Sequence, residues 1–475
     1  MRRPESASAQ ARAPEPYARR IAMTTIHPAP AGAGPATLPM ALLVVMLFLL
    51  SADLLFVPVA GGKVKYGYFA ILATWATAPA AMLAAARDLG RRLPAYAWLP
   101  LVPLAISVVT SVNLRDSVLW TLWLAFDLFT IVTVYAFLVA HALTGNQVRT
   151  AAAGALALIA AFGLYQFVSI YSFHQVVLGP QSHLGVYRIN GISGWPHFLN
   201  IFAFLLIPIV VVQARPSWFT KVVLALLIVV LVQSTAKTGW VLFVALGCLL
   251  LGLVCPAFRW TYLLFMLPVT VVSLLVPVPA LTPAAPALSG SEKISMFAAD
   301  LDVGANRTSG TDRVLISQMG IDVWLRHPWF GVGPRAYDDY VFTRFDEELP
   351  GVNKFDANGA VNAKNENIWI EFLAECGVLF TVGFALLLGR ALWVRRLAFA
   401  DSLQLGAWIA LVLYFGVSGQ VSQNGLLTMT YAVLGIFFYA SGATGSPRAP
   451  RRPGNERVAR RFPGEASRGH SGSVP

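Results

Sequence analysis

The chain of 475 residues is 57% hydrophobic and only 12% charged, a composition outside the range of water-soluble domains. Its formal net charge is +12, yet no folded basic module is recognisable in it. Membrane topology and anionic lipid therefore explain the charge better than nucleic acid does. The composition predicts a polytopic membrane protein with no nucleic-acid partner.

The N-terminal residues 1–38 are rich in Ala, Pro and Arg and are predicted to form a disordered cytoplasmic segment. They contain no short apolar core with a small-residue cleavage site, so a signal peptide is not predicted. Met23 is an alternative start of the chain.

Twelve apolar runs follow, each long enough to cross about 30 Å of hydrocarbon. They lie near residues 39–59, 67–86, 95–112, 117–140, 150–171, 197–213, 218–234, 238–255, 260–279, 367–394, 403–420 and 425–441. We therefore predict an all-α protein with about twelve transmembrane helices. Helices 1–9 would occupy residues 39–279, and helices 10–12 would occupy residues 367–441.

The positive-inside rule orients this bundle. An even number of spans places both termini on one side, and Arg and Lys concentrate in the segments of that side, which is thereby cytoplasmic. Residues 280–366 carry more acidic than basic groups and would form one large periplasmic loop with amphipathic helices. Residues 442–475 would form a disordered basic tail in the cytoplasm. The three cysteines, Cys248, Cys255 and Cys376, lie in or at the ends of spans and are interpreted as unpaired thiols.

Two short loops bring cations to the outer face. Residues 187–200, YRINGISGWPHFLN, contain Arg188, whose planar guanidinium suits phosphate oxygens, or which simply lies among lipid headgroups. Residues 232–243, VQSTAKTGWVLF, contain Lys237 beside three hydroxyl side chains. Lys237 suits a phosphate at a helix start, or it is a lysine that anchors the helix end in the headgroup layer.

The periplasmic loop itself contains a third cation. In TSGTDRVLISQMGIDVWLRHPWFGVGP, residues 308–334, Leu315, Met319 and Val323 recur every four residues, which predicts an amphipathic helix on the membrane surface. Thr311 would cap it, and it would end near His327 and Pro328 before a glycine turn. Arg313 would lie in its first turn, where free amides favour anions. The remaining charges of this helix include Asp312, Asp322 and Arg326.

The tenth span begins with acidic residues. In KNENIWIEFLAECG, residues 364–377, Asn367, Glu371 and Glu375 recur every four residues and give one polar helix face, with Glu366 at its mouth. Ionisable groups in a membrane indicate function by default. For Glu375, a protonated carboxyl in interhelical hydrogen bonds is the favoured interpretation. Glu366 lies in the water layer beside the cations and is favoured as a functional group.

Arg188, Lys237 and Arg313 together with Glu366 therefore gather at one membrane face. Breaking a glycosyl diphosphate bond requires positive charge to stabilise the departing diphosphate and a base to accept the proton of the acceptor hydroxyl. The set predicts a site for a lipid-linked diphosphate, with Glu366 and Arg313 as catalytic residues and Arg188, Lys237 and Arg313 as diphosphate ligands. Asn367, Glu371 and Arg326 are predicted to support them.

These motifs, in the order YR-x-x-G, S-x-x-K-T-G, TDR with W-x-x-x-P-W-F-G-V-G, and E-N-x-W-I-E-F-L-A-E-x-G, resemble the O-antigen ligase and polymerase family over about residues 185–395. The resemblance implies a GT-C-like fold in the bacterial inner membrane. It implies metal-independent, inverting transfer of a glycan from undecaprenyl diphosphate at the periplasmic face, without a cofactor. The implied partners are this lipid-linked donor, a glycan acceptor, membrane lipid and a chain-length regulator.

The resemblance also bears on the type of transfer. Arg188 and Arg313 match arginine positions of the family, and Lys237 stands where many relatives have Arg. Glu366 stands where ligases have His, which favours polymerisation of surface polysaccharide or exopolysaccharide repeat units over ligation to lipid A-core. The sugar, the linkage and the acceptor are not specified by the sequence.

Other interpretations remain open. A polysaccharide or lipid flippase would also have twelve spans, although it would not need a large outer loop, and no internal repeat supports it. Asp300 and Asp302, or Asp338 and Asp339, are acidic pairs of the kind that can hold a divalent cation, but metal sites usually need more ligands, so no metal is predicted. Further candidate bases are four histidines that more often serve as interfacial or turn residues: His174, His183, His197 and His327.

Overall fold

The computed structural model describes residues 37–59, 62–93, 95–178, 181–183, 186–213, 216–234, 237–253, 309–348, 350, 367–396, 402–418 and 424–443. The predicted terminal segments (apart from residues 37 and 38 and residues 442 and 443), the predicted ninth span, Cys255, Asp300, Asp302 and Glu366 lie outside these residues.

Within the described part the chain is mostly helical, as the apolar runs predict. Nine helices precede the large loop: α1 (Thr37–Ser51), α2 (Tyr66–Thr74), α3 (Pro79–Arg92), α4 (Leu101–Val109), α5 (Leu114–Ala140), α6 (Gly145–Tyr171), α7 (Pro196–Val211), α8 (Trp218–Gln233) and α9 (Lys237–Leu253). Six more helices are described after residue 308, and the first three of them lie within the predicted loop: α10 (Ser309–Arg326), α11 (Tyr337–Thr343), α12 (Phe345–Glu348), α13 (Ile368–Arg396), α14 (Ser402–Leu413) and α15 (Asn424–Ala443). A 3₁₀ turn at Ala95–Trp98 precedes α4, and a π-helical turn at Tyr414–Ser418 follows α14.

Three described helices are long and apolar enough to cross a membrane alone: α5, α6 and the Ile368–Leu392 part of α13. The pair α2 and α3, bent by 95° at their junction, forms a fourth candidate span. The other apolar helices are shorter. The count of twelve spans therefore remains a prediction.

The helices pack around α7, in which every residue except His197 is buried. Helix α7 contacts α6, α9 and α14, while α5 contacts α3 and α15 and α1 contacts α6. A helix that is apolar on all sides must be covered by its neighbours. Ser234 is bonded to this helix, because its hydroxyl accepts from the Asn200 side-chain amide in α7 at 2.7 Å.

Two antiparallel hairpins depart from the all-α prediction. Strand β1 (Phe56–Val59) occupies the end of the first predicted span, residues 39–59, because α1 ends at Ser51, and strand β2 (Gly62–Lys65) pairs with it. The Lys65 ammonium is paired with the Asp53 carboxylate across the base of this hairpin. Strands β3 (Gln181–His183) and β4 (Val186–Arg188) form the second hairpin, which ends at Arg188.

Helix α13 is broken at Gly377, whose φ of 74° and ψ of 175° are not helical. This conformation is essentially restricted to glycine, because a Cβ atom would clash with the backbone. The predicted tenth span therefore consists of two helical pieces, and α10 packs against α13. The loop helices and the membrane helix meet at this break.

Candidate functional site

Arg188 lies beside the C-terminal end of α8. Its Nε donates to the carbonyl oxygen of Ser234 at 3.3 Å. Ser234 is the C-cap residue that follows α8, and Lys237 is the first residue of α9. The structure thus brings the Arg188 loop and the Lys237 turn together, two segments that are about fifty residues apart in sequence.

For the other two predicted cations, Lys237 and Arg313, the structure describes the backbone alone. The backbone of Lys237 begins α9, so its position at the helix start agrees with the sequence interpretation, but the described part of the structure does not include its side chain. Helix α10 begins at Ser309, two residues before the predicted cap Thr311. Arg313 is therefore in the second turn rather than the first, and its side chain also lies outside the described atoms.

The acidic face of α13 divides into an exposed cap and two buried carboxyl groups. The Asn367 Oδ1 atom accepts from the amide of Trp369 at 2.9 Å, so Asn367 caps the helix. Glu371 and Glu375 are only 6% and 4% exposed. Glu366, the predicted base, is the residue directly before this cap and lies outside the described residues.

Glu375 bonds to the loop rather than to another membrane helix. Its Oε2 accepts from the backbone amide of Arg335 at 2.8 Å. The sequence predicts a hydrogen bond from Glu375 to another membrane helix. The partner found in the structure is instead the backbone amide of Arg335 in the loop. The carboxylate satisfies a loop amide whose residue adopts a left-handed φ of 60°.

The turn segment, which we define as residues 328–335, replaces the hydrogen bonds that α13 loses at Gly377. In an unbroken helix the Val378 amide would donate to Ala374, but it donates to the carbonyl of Pro328 at 2.9 Å. The freed Ala374 carbonyl accepts from the Val332 amide at 2.9 Å. The Glu375 carbonyl accepts from the Gly333 amide at 2.9 Å and from the Ser107 hydroxyl at 3.0 Å.

A second polar cluster closes the far end of α10. The Glu348 Oε2 atom accepts from the Tyr340 hydroxyl at 3.1 Å and contacts the His327 Nε2 atom at 2.9 Å. The Arg326 Nε atom lies 3.9 Å from the same oxygen. Burial, reinforced by the Glu348 charge, raises the pKa of Tyr340, so its hydroxyl remains a donor. Arg326 thus pairs within the loop, 13 residues along the helix from Arg313.

Two further candidates, Asp339 and His197, have structural partners. Asp339 accepts a hydrogen bond from Asn113, which caps α5 through a 3.1 Å bond from the Asp116 amide. The His197 ring stacks edge-on against Phe198 at 4.1 Å between ring centres. Cys248 and Cys376 are free thiols. Among the described residues, no group of three or more His, Cys, Asp or Glu side chains is arranged to hold a metal ion.

Three buried polar residues of the described helices were missed in the sequence analysis. Gln166 in α6 and Asn200 in α7 are fully buried and bond to the loops described above. Asp127 in α5 is 2% exposed and accepts from the Thr428 hydroxyl at 2.6 Å. The available signal was the presence of an amide or carboxylate inside a predicted span, which is rare without a reason.

Together these elements define a helical protein with membrane-spanning candidates, in which cation-bearing loops are fixed beside the bundle core. The O-Antigen ligase family model matches residues 222–388. This match confirms the resemblance of the chain to the O-antigen ligase and polymerase family. It includes Lys237, Arg313 and Glu366, whereas Arg188 lies before it. No curated protein matches the chain.

Proposed function

We propose that the chain transfers a glycan from an undecaprenyl diphosphate donor to an acceptor sugar at the periplasmic face of the bacterial inner membrane. The observation that carries this proposal is the bond from Arg188 to Ser234, three residues before Lys237. Two cationic residues that are remote in sequence thereby belong to adjacent segments. Two positive charges close together suit a diphosphate, which carries several negative oxygens.

In the proposed reaction, Glu366 accepts the proton of the acceptor hydroxyl while that oxygen attacks the anomeric carbon. The bond from this carbon to the diphosphate oxygen breaks, and the configuration inverts because attack and departure are on opposite faces. Arg188, Lys237 and Arg313 stabilise the charge that develops on undecaprenyl diphosphate, so the reaction requires no metal ion. The leaving group stays in the membrane.

Polymerisation of polysaccharide repeat units is the favoured form of this transfer, because a carboxylate stands where ligases have His. It implies a separate chain-length regulator as a partner. Ligation to lipid A-core is the second candidate, and the description of the matching family model favours it. The two differ in acceptor, so offering purified protein either a second lipid-linked repeat unit or lipid A-core distinguishes them by product size.

The proposed base is tested with Glu366→Gln. This variant keeps the size of the side chain but cannot accept the proton, so it should retain lipid-linked donor and form no product. Donor retention and product formation are measured on the same preparation. Glu347→Gln, at an exposed carboxylate of α12, is the matched control and should remain active. A fully active Glu366→Gln variant would eliminate the catalytic role.

The orientation is tested by placing one cysteine at Ser309 in a cysteine-free chain and labelling whole cells with a reagent that does not cross the inner membrane. We expect labelling from the periplasm, because α10 belongs to the outer loop in this proposal. Thr150→Cys, at an exposed position near the start of α6, is the control and should label only after the inner membrane is opened. The reverse pattern would invert the proposed topology.

A further inference from the structure

Two fully buried side-chain amides lie beside the cation-bearing loops. Gln166 is in the last two turns of α6, and Asn200 is in the second turn of α7. Both are 0% exposed. An amide is costly to bury in apolar surroundings unless hydrogen bonds compensate. The hydrogen bonds of these two amides therefore identify the segments that they hold in place.

Gln166 makes four hydrogen bonds, three of which go to the segment directly after Arg188. Its Oε1 accepts from the backbone amides of Asn190 at 2.9 Å and Gly191 at 2.8 Å. Its Nε2 donates to the Asn190 Oδ1 atom at 2.6 Å and to the Val177 carbonyl at 3.2 Å. The backbone two and three residues after Arg188 is thus fixed to α6.

Asn200 binds the other segment. Its Nδ2 donates to the Ser234 hydroxyl at 2.7 Å and to the Pro196 carbonyl at 2.8 Å. The Ser234 carbonyl is the acceptor for Arg188, so the bonds run from Asn200 through Ser234 to the guanidinium. The Asn200 Oδ1 atom also lies 2.1 Å from where a Cβ of Gly239 would be, so the first turn of α9 packs directly on this amide.

We propose that Gln166 and Asn200 are positioning residues that hold Arg188 and the start of α9 in the geometry that binds a diphosphate. This inference rests on the proposed function. Neutral amides suit the task, because they fix the backbone without neutralising a nearby cation. A carboxylate in either place would compete with the diphosphate for that positive charge.

The test measures binding of undecaprenyl diphosphate, without any glycan, to the full chain in lipid nanodiscs. Gln166→Met keeps the volume of the side chain but removes all four hydrogen bonds. The matched control is Gln233→Met in α8. Gln233 is 1% exposed, and neither polar atom of its side chain is hydrogen-bonded within the described structure. Weaker binding by Gln233→Met would show that replacing a buried amide in this region disturbs the site even when no hydrogen bond is lost.

We expect Gln166→Met to weaken binding roughly tenfold and Gln233→Met to leave it unchanged, since coupling between neighbouring polar groups commonly has this size. In an Arg188→Ala background, Gln166→Met should add less than about twofold, because the residue that it positions is gone. Equal losses in both backgrounds, or no loss in either, would overturn the inference. A purely structural role would give additive effects.

Ser234→Ala provides a second variant in case Gln166→Met does not fold. It removes the hydroxyl that Asn200 holds but keeps the carbonyl that Arg188 contacts, and we expect roughly threefold weaker binding that also disappears in the Arg188→Ala background. Failure of the proposed function is recognised separately. In that case wild-type protein would not bind undecaprenyl diphosphate, or Arg188→Ala would bind it normally, and the inference would fall with it.

Discussion

The segment from Arg188 to Gly191, which we call the Arg188 region, and the turn segment are both held against membrane helices. The groups that hold them are chemically different. At Arg188 the contacts come from side chains, since Gln166 and Asn200 bond to the loop backbone and to Ser234. At the turn segment they come mostly from backbone groups exchanged with the broken helix α13. The Arg188 region therefore requires particular polar side chains. The turn segment requires glycine where a Cβ atom would not fit.

The difference has a physical origin. A helix break frees amides and carbonyls that must find partners, and only another stretch of backbone can approach closely enough to supply several at once. Such an approach leaves no room for Cβ atoms. At Gly331 a Cβ would lie 2.3 Å from the Glu375 carbonyl carbon. Away from its ends, a regular stretch of helix offers no free backbone groups, so α6 and α7 hold the loop and Ser234 through the side chains of Gln166 and Asn200.

The largest effect is expected from Gly377→Ala, which alters the break in α13 where the turn segment packs. Alanine is strongly disfavoured at this φ and ψ, and its Cβ would lie 2.2 Å from the Trp329 carbonyl oxygen. We expect a loss of about 3 kcal/mol or more, seen as little folded protein in detergent by size-exclusion chromatography. Gly389→Ala, in the same helix with no atom within 4 Å of the added carbon, should fold normally. Equal yields would show that the break tolerates side chains.

The next largest effect is expected on glycan transfer, from substitutions of Arg188. Arg188→Ala should reduce glycan transfer at least about a hundredfold while the protein remains folded, because it removes charge that stabilises the leaving diphosphate. Arg188→Lys should keep part of the activity, since it retains the charge but not the planar donors. Polymer output per mole of folded protein measures both. Near-normal output from the alanine variant would contradict the assignment of this region as the diphosphate site.

A smaller effect on stability is expected from substitutions of Glu375, whose side chain binds the turn segment at the Arg335 amide. Glu375→Ala leaves the Arg335 amide without its acceptor and should cost about 2 kcal/mol in the free energy of unfolding. Glu375→Gln keeps an acceptor oxygen and should cost less than half as much. Thermal unfolding in detergent compares the two. If the Gln variant were as unstable as the Ala variant, the carboxylate charge would matter more than its hydrogen bond.

The smallest effect is expected from Ser117→Ala. The Ser117 hydroxyl donates to the Pro334 carbonyl at 2.6 Å and ties the start of α5 to the turn segment. One hydrogen bond of this kind contributes roughly 0.5–1 kcal/mol, so the melting temperature should fall by only a few degrees. Thr121→Ala, which removes a bond within α5 alone, is the control. A large loss from Ser117→Ala would mean that side chains hold this region after all.

The sequence by itself indicated the helical class, because an apolar run of membrane length can satisfy its backbone only as a helix. It also indicated the family, through the motifs around Arg188, Lys237, Arg313 and Glu366, and the family model match agrees. The end of α10 at Arg326 and the glycine turn after it follow from local chemistry and were predicted within a residue. The roles of the four site residues remain predictions.

Only the tertiary structure decided where helices break and what the buried polar groups bind. Apolar periodicity treats residues 367–394 as one span, since nothing local distinguishes Gly377 from a glycine such as Gly389, which stays helical. The break is stable because a segment some fifty residues earlier supplies the missing hydrogen bonds. In the same way Gln166 and Asn200 look like isolated polar residues in apolar helices. Their partners lie at Asn190, Gly191 and Ser234, and only folding brings them together.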